Sequence, residues 1–265
     1  MTRRTVLITG GSAGIGEAFA DVFAAGGFDL VLTARRTDRL SAAAARIEKA
    51  FGVRVHIITA DLADRAAPER MCAELTRRGI VIDALVNNAG YGVPGRFTAS
   101  AWPRHAHMLQ VMVVAPAELT HRLLPGMVSR GYGRIINVAS LAALVPAPAG
   151  HTLYAASKAL VVKFSEALAN EVRAQGVHVT ALCPGFTFSE FHDVADTRDT
   201  VRHLPGWMWM DAPAVAAEGF AAVMAGAPVH VTGRVNRLIA TMSRVIPQRL
   251  LMAIGRRTAW RYRRA

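Results

Sequence analysis

The chain has few cysteines and no long apolar run. Among its 265 residues the only cysteines are Cys72 and Cys183, which form no CxxC pair or cluster. This scarcity excludes a disulfide framework and a structural zinc site, and it indicates a reducing compartment. No apolar stretch approaches the roughly 20 residues that a membrane-spanning helix needs. Because the first residues lead directly into a strand-like segment, we also expect no signal peptide.

Acidic residues are missing from the last part of the chain. None follows Glu218, whereas nine arginines lie from Arg234 to Arg264, so this tail supplies nine of the net +12 charges. The positive charge is therefore local. The chain lacks the protein-wide basic surface that would predict a nucleic-acid partner.

Apolar segments with strand character alternate with segments of helical apolar spacing. This alternation predicts an α/β protein with a doubly wound, mostly parallel sheet that carries helices on both faces. No repeat or linker interrupts it, which predicts one domain over residues 1–235 and a basic, amphipathic helical tail over 236–265. The predicted strands are 5–9, 29–33, 53–59, 84–86, 134–139 and 177–183. The predicted helices are 17–25, 37–50, 67–78, 101–123 with Pro116 in its interior, and 154–175.

Residues 186–211 break this alternation. They mix polar and aromatic side chains and end in Trp207-Met208-Trp209-Met210. Long irregular segments of this kind are often functional, so the segment is either a packed surface loop or a substrate loop with an apolar lining. Asp211 has the residue type and position of an N-cap for a helix that ends near Gly226.

The tail has apolar residues at helical spacing, with arginines between them. Pro247 is expected to divide it into two helices. Three placements of its apolar face are open: against the core, against another subunit, or on an anionic membrane surface. The apolar positions are Leu238, Ile239, Met242, Val245, Ile246, Leu250, Leu251 and Ile254.

A glycine-rich turn joins the first predicted strand to the first predicted helix, and it carries Gly10, Gly14 and Gly16. Strand, glycine turn and helix form the opening of a nucleotide-binding βαβ unit, in which the backbone can approach a phosphate at the helix N-terminus. A tight turn without a ligand would use the same glycines.

Further motifs follow the other predicted strands. Ligands of such sheets bind beyond the carboxyl ends of the strands, so these motifs are expected to surround one crevice. They are Asp61, Asn87-Asn88-Ala89-Gly90, Ser140 and the segment from Pro184 to Ser189.

Tyr154 and Lys158 stand one turn apart on one face of a predicted helix. Tyrosine has an ordinary pKa of about 10. A neighbouring ammonium favours the phenolate, so we expect Lys158 to lower the pKa of Tyr154. The pair is then a candidate proton donor and acceptor. Taken alone, such a pair more often marks an ordinary helix surface.

In their order and spacing, these motifs resemble the short-chain dehydrogenase/reductase family over about residues 4–235. The segment from Cys183 to His192, with the arginine-rich tail, is similar to an NADP-preferring bacterial subgroup. The resemblance implies a single-domain Rossmann fold with seven strands and an NAD(P)-dependent oxidoreductase. Members of the family commonly form homodimers or homotetramers, so we expect one of these here. The cysteine count, in turn, leads us to expect a cytoplasmic location and no metal ion.

The resemblance assigns roles to the matched positions. Ser140 is expected to orient the substrate's carbonyl oxygen, Tyr154 to give it a proton, and Lys158 to hold the nicotinamide ribose. Asp61 is expected to accept from the adenine amino group, and Asn88 to lie beside the cofactor ribose. The residues expected to bind the cofactor are Gly10, Ser12, Gly14, Ile15, Gly16, Arg35, Arg36, Asp61, Leu62, Asn88, Ala89, Gly90, Tyr154, Lys158, Pro184, Gly185 and Thr187.

The residues after the second predicted strand favour NADP(H). An NAD enzyme typically has an acid there for the ribose 2′-hydroxyl, but this chain has Thr33-Ala34-Arg35-Arg36. Arg35 can hold a 2′-phosphate by charge-assisted hydrogen bonds, with Ser12 as a helper. The alternative is that the two arginines are simply solvated at the start of a helix.

One position departs from the family pattern. The asparagine of a proton relay is expected where this chain has Met112, whose thioether cannot make the same hydrogen bonds. Activity is then either weakened or supported by Pro116, which lacks an N–H and leaves the carbonyl of Met112 free for a relay water. The gap between Ser140 and Tyr154 is also one residue longer than usual.

Two functions follow. The first is an NADP(H)-dependent oxidoreductase that transfers hydride to or from an apolar ketone, aldehyde or secondary alcohol. The second is a catalytically impaired NADP(H)-binding protein that acts through its surface or tail. A peripheral contact of the tail with the inner membrane face is compatible with the first.

Overall fold

Seven parallel strands form one sheet in the described part of the protein, which covers residues 3–147, 149–150, 152–188 and 205–246 of a computed structural model. The strands are β1 (Thr5–Thr9), β2 (Asp29–Ala34), β3 (Val55–Thr59), β4 (Ala84–Asn87), β5 (Gly133–Val138), β6 (Val177–Cys183) and β9 (Val229–Val231). Their spatial order is β3-β2-β1-β4-β5-β6-β9. The predicted seven-stranded Rossmann architecture is confirmed. The segment pattern had not located the short edge strand β9.

Helices cover both faces of this sheet because alternate residues of its strands enter two separate cores. In β1, Val6 and Ile8 pack on one side with Phe19, whereas Leu7 packs on the other with Met71. The first face carries α1 (Gly14–Ala25), α2 (Thr37–Phe51) and α7 (Ala212–Met224). The second carries α3 (Ala67–Arg77), α4 (Trp102–Leu109), α5 (Ala115–Ser129) and α6 (Thr152–Val172). The last described helix is α8 (Arg234–Val245).

The long helix predicted over residues 101–123 is divided. A π-helical turn, Gln110–Val114, joins α4 to α5, and the amide of Ala115 reaches back to the carbonyl of Gln110. Pro116 therefore lies in the first turn of α5 and not in a helix interior. A proline is tolerated here because the π turn has already shifted the helical hydrogen bonds, and its missing N–H leaves the carbonyl of Met112 without the donor four residues on.

A second, two-stranded sheet stands after the carboxyl end of β6. Here β7 (Phe186–Phe188) pairs in parallel with β8 (Trp209–Asp211). The two ends of the predicted irregular segment are thus held together, while residues 189–204, including Ser189, lie outside the described residues. Asp211 occupies the N-cap position of α7, as expected, but its side chain makes no capping hydrogen bond.

None of the described helices is long and apolar enough to cross a membrane. The expected division of the tail at Pro247 lies outside the described residues. The reversal of strand order beside β1, with β2 on one side and β4 on the other, opens a crevice at the carboxyl edge of the sheet.

Candidate active site

The turn between β1 and α1 is shaped to receive an anion. The amides of Gly10 and Gly11 donate to the carbonyl of Thr33 at 2.8 and 3.2 Å, which ties the turn to β2. Gly10 and Gly14 have φ angles of +69° and +57°, a region that favours glycine. The N-cap of α1 is Ala13, so no side chain satisfies the first amides of the helix. Those amides and the helix dipole can bind phosphate.

The same turn leaves no room for side chains. A Cβ on Gly16 would lie 2.1 Å from the carbonyl oxygen of Gly10 and 2.6 Å from Nδ2 of Asn88. Asn88 closes the turn from the β4 side, since its Nδ2 donates to the carbonyl of Thr9 at 3.0 Å. The predicted neighbours Ser12 and Ile15 are half-buried on this turn. A pyrophosphate cradle requires this close approach of backbone, so the residues present fit a dinucleotide.

We expect Gly16→Ala to weaken NADPH binding at least tenfold and to destabilise the protein by about 1–3 kcal/mol, because the backbone of Gly10 cannot move aside cheaply. Thermal unfolding with and without NADPH measures both effects. Gly206→Ala is the matched control, since a Cβ there meets no atom within 4 Å. Unchanged NADPH binding in Gly16→Ala would contradict the assignment.

Charged residues follow β2 and β3 at the end of the crevice where the adenosine is expected. Arg35 and Arg36 are exposed after β2, whereas Asp61 is exposed after β3 and accepts from the amide of Ala63 at 3.0 Å. Leu62 beside it is buried in the core.

Two further residues at this end, Tyr91 and Arg104, were not predicted from the sequence. Burial raises the pKa of the Tyr91 hydroxyl. The charges of Arg35 and Arg104 oppose that rise and the charge of Asp61 adds to it, so Tyr91 and Arg104 lie in the same region as the predicted Arg35 and Asp61. The only signal in the sequence was that Tyr91 follows the Asn87–Gly90 motif.

The candidate catalytic residues meet at the carboxyl end of β5. Ser140 follows β5, and its Oγ accepts from the amide of Ala142 at 3.1 Å. The hydroxyl of Tyr154, from the first turn of α6, is hydrogen-bonded to Ser140. One turn later Lys158 is buried and donates its Nζ to the carbonyl of Val138 at 2.7 Å. The structure therefore brings the three predicted residues together.

The electrostatics of this group differ from the expected tuning of Tyr154 by Lys158. Burial raises the pKa of Tyr154 above its usual range, and the hydrogen bond from Ser140 only partly opposes this. Burial also lowers the pKa of Lys158 to about 8. The prediction that the ammonium lowers the Tyr154 pKa is wrong for this structure, because Lys158 is held by Val138, with Nζ 5.9 Å from the centre of the Tyr154 ring. Nearby Cys183 stays a neutral thiol, since burial raises its pKa to about 12.

This lowered pKa gives a pH prediction. Lys158 carries its charge below about pH 8 and loses it above. Because an ammonium donates to ribose hydroxyls and attracts phosphates, we expect NADPH affinity to fall as pH rises through about 8. Titrating NADPH at several pH values measures this, with Lys158→Met as the control that removes the dependence. An affinity that stays constant up to the ordinary lysine range would contradict it.

The segment after β6 forms the other wall of the crevice. The carbonyl of Pro184 accepts from the amide of Leu141 at 2.8 Å, which fixes this wall beside Ser140. Thr187 is buried, and its hydroxyl donates to the carbonyl of Gly185 at 3.2 Å. Asn236 of α8 lies on this wall, since a Cβ on Gly185 would be 2.5 Å from its amide. Asn236 was not predicted from the sequence, although a polar residue on the inward face of an amphipathic helix indicates a buried polar contact.

A cavity of about 50 Å³ lies beside Lys158 and is bordered by Met112 and Pro116. The thioether of Met112 also packs against Gly90, where a Cβ would lie 3.1 Å from its sulfur. Asn87 is one of the residues that line the cavity, and its side-chain oxygen is buried without a hydrogen-bond partner among the described residues. The space and the unpaired acceptor suit a bound water. Ala89, which also lines this cavity, donates its amide to Thr9 Oγ1 at 3.1 Å.

The glycine turn, the switch point of the sheet and the adjacent group of Ser140, Tyr154 and Lys158 are together the features of a dinucleotide-binding α/β protein. Residues 4–199 match the family model described as short chain dehydrogenase. The chain belongs to the short-chain dehydrogenase/reductase family.

Relatives of different specificity are similar to the chain. It is 38% identical over 188 residues to a sulfoacetaldehyde reductase of Chromohalobacter salexigens, covering 70% of this chain and 73% of that protein. A short-chain dehydrogenase from Sphingobium yanoikuyae in complex with NADPH superposes with a TM-score of 0.81 at 31% identity, over 94% of this chain and 95% of the other. The bulky-bulky ketone specific alcohol dehydrogenase from Comamonas testosteroni gives 0.78 at 26% identity, over 96% and 95%. Across five curated relatives, the chain covers from 65 to 97% of their length.

Proposed function

We propose that the protein is an NADP(H)-dependent oxidoreductase that interconverts an apolar ketone or aldehyde and the corresponding alcohol. The observation that carries the proposal is the Tyr154 hydroxyl, hydrogen-bonded to Ser140 beside the buried Lys158 at the edge of the cofactor cradle. NADP(H) is supported by Arg35, where an NAD enzyme has an acid, and by the NADPH complex of the Sphingobium relative.

The residues of the chain divide the work of reduction. Bound NADPH supplies the hydride. Ser140 and Tyr154 hold the carbonyl oxygen of the substrate, and Tyr154 gives that oxygen a proton. Because burial raises its pKa, Tyr154 stays protonated at neutral pH, which suits a proton donor for reduction. Lys158 would hold the nicotinamide ribose, and Pro184 and Gly185 would flank the nicotinamide.

The wall after β6 supports an apolar, bulky substrate. Phe188 stacks on Trp209, with ring centres 4.7 Å apart, and Phe186 lies 5.5 Å from the same ring. These aromatic side chains belong to β7 and β8, next to Pro184 and Gly185 of the crevice wall. The Comamonas relative is specific for ketones with two bulky groups. The Chromohalobacter relative reduces sulfoacetaldehyde, so family membership alone does not define the substrate.

A carbonyl panel tests this proposal. We expect NADPH oxidation with aryl and alicyclic ketones at a kcat/KM on the order of a hundredfold above that for acetone, because each buried apolar group adds binding energy. Trp209→Ala should reduce the preference by raising KM for the bulky ketones, while Phe51→Ala, at the end of α2, should not. A preference for small polar aldehydes would overturn the apolar assignment.

The second candidate, a catalytically impaired NADP(H)-binding protein, is favoured by Met112 alone. A proton route that uses the cavity beside Lys158 would instead keep the enzyme active. Pro116 has no N–H for the carbonyl of Met112, and its own carbonyl accepts from Thr120 Oγ1 at 2.7 Å. The carbonyl of Met112 and the unpaired oxygen of Asn87 are then the acceptors for a relay water.

This route predicts that Pro116→Ala lowers kcat by about tenfold, part of what general acid–base catalysis contributes, because the new N–H competes with the water for the Met112 carbonyl. Pro125→Ala, at the proline inside the same helix, is the control and should keep kcat. Steady-state kinetics at saturating NADPH measure both. Full kcat in Pro116→Ala, with a large increase in Met112→Asn, would show that the route is wrong and that Met112 impairs the enzyme.

The assembly also belongs to the proposal. A homodimer or homotetramer is expected from family membership, and light scattering on the purified full chain tests it. A monomer that turns over ketones would remove the oligomer without affecting the catalytic assignment.

A further inference from the structure

Helix α8 has an exposed side with two different halves. Asn236 and Ala240 are buried and define its inward face. At about 100° per residue, the exposed side that remains divides into an apolar half and a basic half. The apolar half is Val235, Leu238, Met242 and Val245, and the basic half is Arg234, Arg237 and Arg244.

The apolar half is a continuous stripe. Its spacing of three, four and three residues aligns the side chains along one line of the helix. They are between 38 and 78% exposed to solvent. Four apolar side chains exposed on three turns of one helix form a patch that indicates an interaction surface.

The basic half is neutralised only at Arg237. Arg237 reaches Glu218 at 3.1 Å, but within the described ranges no carboxylate lies within ion-pair distance of Arg234 or Arg244. No acidic residue occurs in α8 or anywhere after it in the sequence. The surface is therefore complementary to a negatively charged partner.

Helix α8 packs with its inward face against the wall of the crevice. The amide of Gly233, at the start of α8, donates to Glu218 of α7 at 3.2 Å. Asn236 contacts Gly185 on the crevice wall and lies 3.7 Å from the sulfur of Met210 in β8. Phe188 in β7 and Trp207, two residues before β8, are both more than half exposed.

We propose that α8 docks the protein on an anionic lipid bilayer, with its apolar stripe in the acyl boundary and its arginines at the headgroups. A helix that presents apolar residues beside arginines has the pattern of an interfacial helix. The docking places the crevice mouth at the bilayer, where apolar carbonyl compounds concentrate. The binding step itself does not rest on the proposed catalysis.

Two other partners fit the surface less well. A second copy paired through the same face would set the arginines of the two helices against each other, and that repulsion opposes association. A nucleic acid would engage the arginines but would leave the apolar stripe exposed.

Co-sedimentation of the full chain with vesicles tests the proposal. We expect binding to phosphatidylglycerol-containing vesicles, little binding to pure phosphatidylcholine, and release at high salt. Leu238→Glu should reduce the partition coefficient by about tenfold or more, because it places a charge in the acyl boundary. Val81→Glu is the matched control, since Val81 is a similarly exposed apolar residue before β4. NADPH-induced thermal stabilisation should be retained by both variants.

Three outcomes would overturn the docking. The first is no binding to the anionic vesicles. The second is equal loss of binding in Leu238→Glu and Val81→Glu, which would reflect net charge and not this face. The third is binding that Arg234→Ser/Arg244→Ser removes and Leu238→Glu leaves intact, which would indicate a general polyanion surface. Ketone reduction that persists without vesicle binding would leave the proposed function intact.

Discussion

Replacing Tyr154 by phenylalanine is expected to lower kcat by about 10²–10⁴-fold, the usual contribution of a positioned general acid. The substitution removes the hydroxyl that is hydrogen-bonded to Ser140 and leaves the ring and the fold in place. Because the lost group acts on the substrate's oxygen, NADPH affinity should change by no more than about threefold. Single-turnover measurements with saturating NADPH and a bulky ketone separate the chemical step from binding.

Tyr132→Phe is the matched control. Tyr132 lies just before β5, at the amino edge of the sheet, and its hydroxyl is buried without a hydrogen-bond partner in the described ranges. The Arg4 guanidinium covers its ring, 3.6 Å from the ring centre. Phenylalanine keeps that ring contact, so kcat should not change. A Tyr154→Phe enzyme with wild-type kcat would remove Tyr154 from the proton transfer.

Replacing Arg35 by glutamate is expected to raise the Kd for NADPH by about 100-fold, since it removes a charge-assisted hydrogen bond and adds a repulsive charge against the 2′-phosphate. The Kd for NADH should fall at the same time, because a carboxylate at this position accepts from the 2′-hydroxyl. Cofactor fluorescence titrations measure both constants.

The control for this variant carries the same change of charge at the far end of α2. Lys49→Glu lies in the last turn of that helix, whereas Arg35 precedes its first turn. Its two dissociation constants should equal those of the wild type. Equal losses of NADPH affinity in both variants would mean that only net charge matters, and the solvated alternative for Arg35 would then be correct.

Much of the fold could be predicted from the sequence because its strands and helices produce local patterns of apolar residues. Six strands are apolar segments bounded by turns, and a doubly wound sheet buries both faces of each strand. Edge strand β9 was not located, since Val229–Val231 has only three residues and forms its hydrogen bonds with β6 alone. The π turn before Pro116 was also missed, because its bonding depends on how the helix packs and not on residue type.

For the candidate site, the positions of the residues could be predicted from the sequence, but their pKa values could not. Its residues follow strand ends, so their convergence at one edge follows from the topology. The electrostatics do not, because the pKa of Tyr154 depends on burial and on where Lys158 finds an acceptor. Val138 offers a carbonyl to Lys158 that no spacing in the sequence reveals. Asn236 was missed for a similar reason, since its contact with Gly185 joins residues 51 positions apart.

The most direct test of ketone reduction by this protein follows the hydride from NADPH to the product. Reduction of a bulky ketone with NADPH deuterated at C4 of the nicotinamide on the transferred face should place one deuterium on the carbinol carbon of the alcohol, measured by mass spectrometry. The yield in a fixed time should fall by about 10²–10⁴-fold in Tyr154→Phe. Saturable NADPH binding without labelled alcohol from any ketone of the panel would show that the protein is not a ketone reductase.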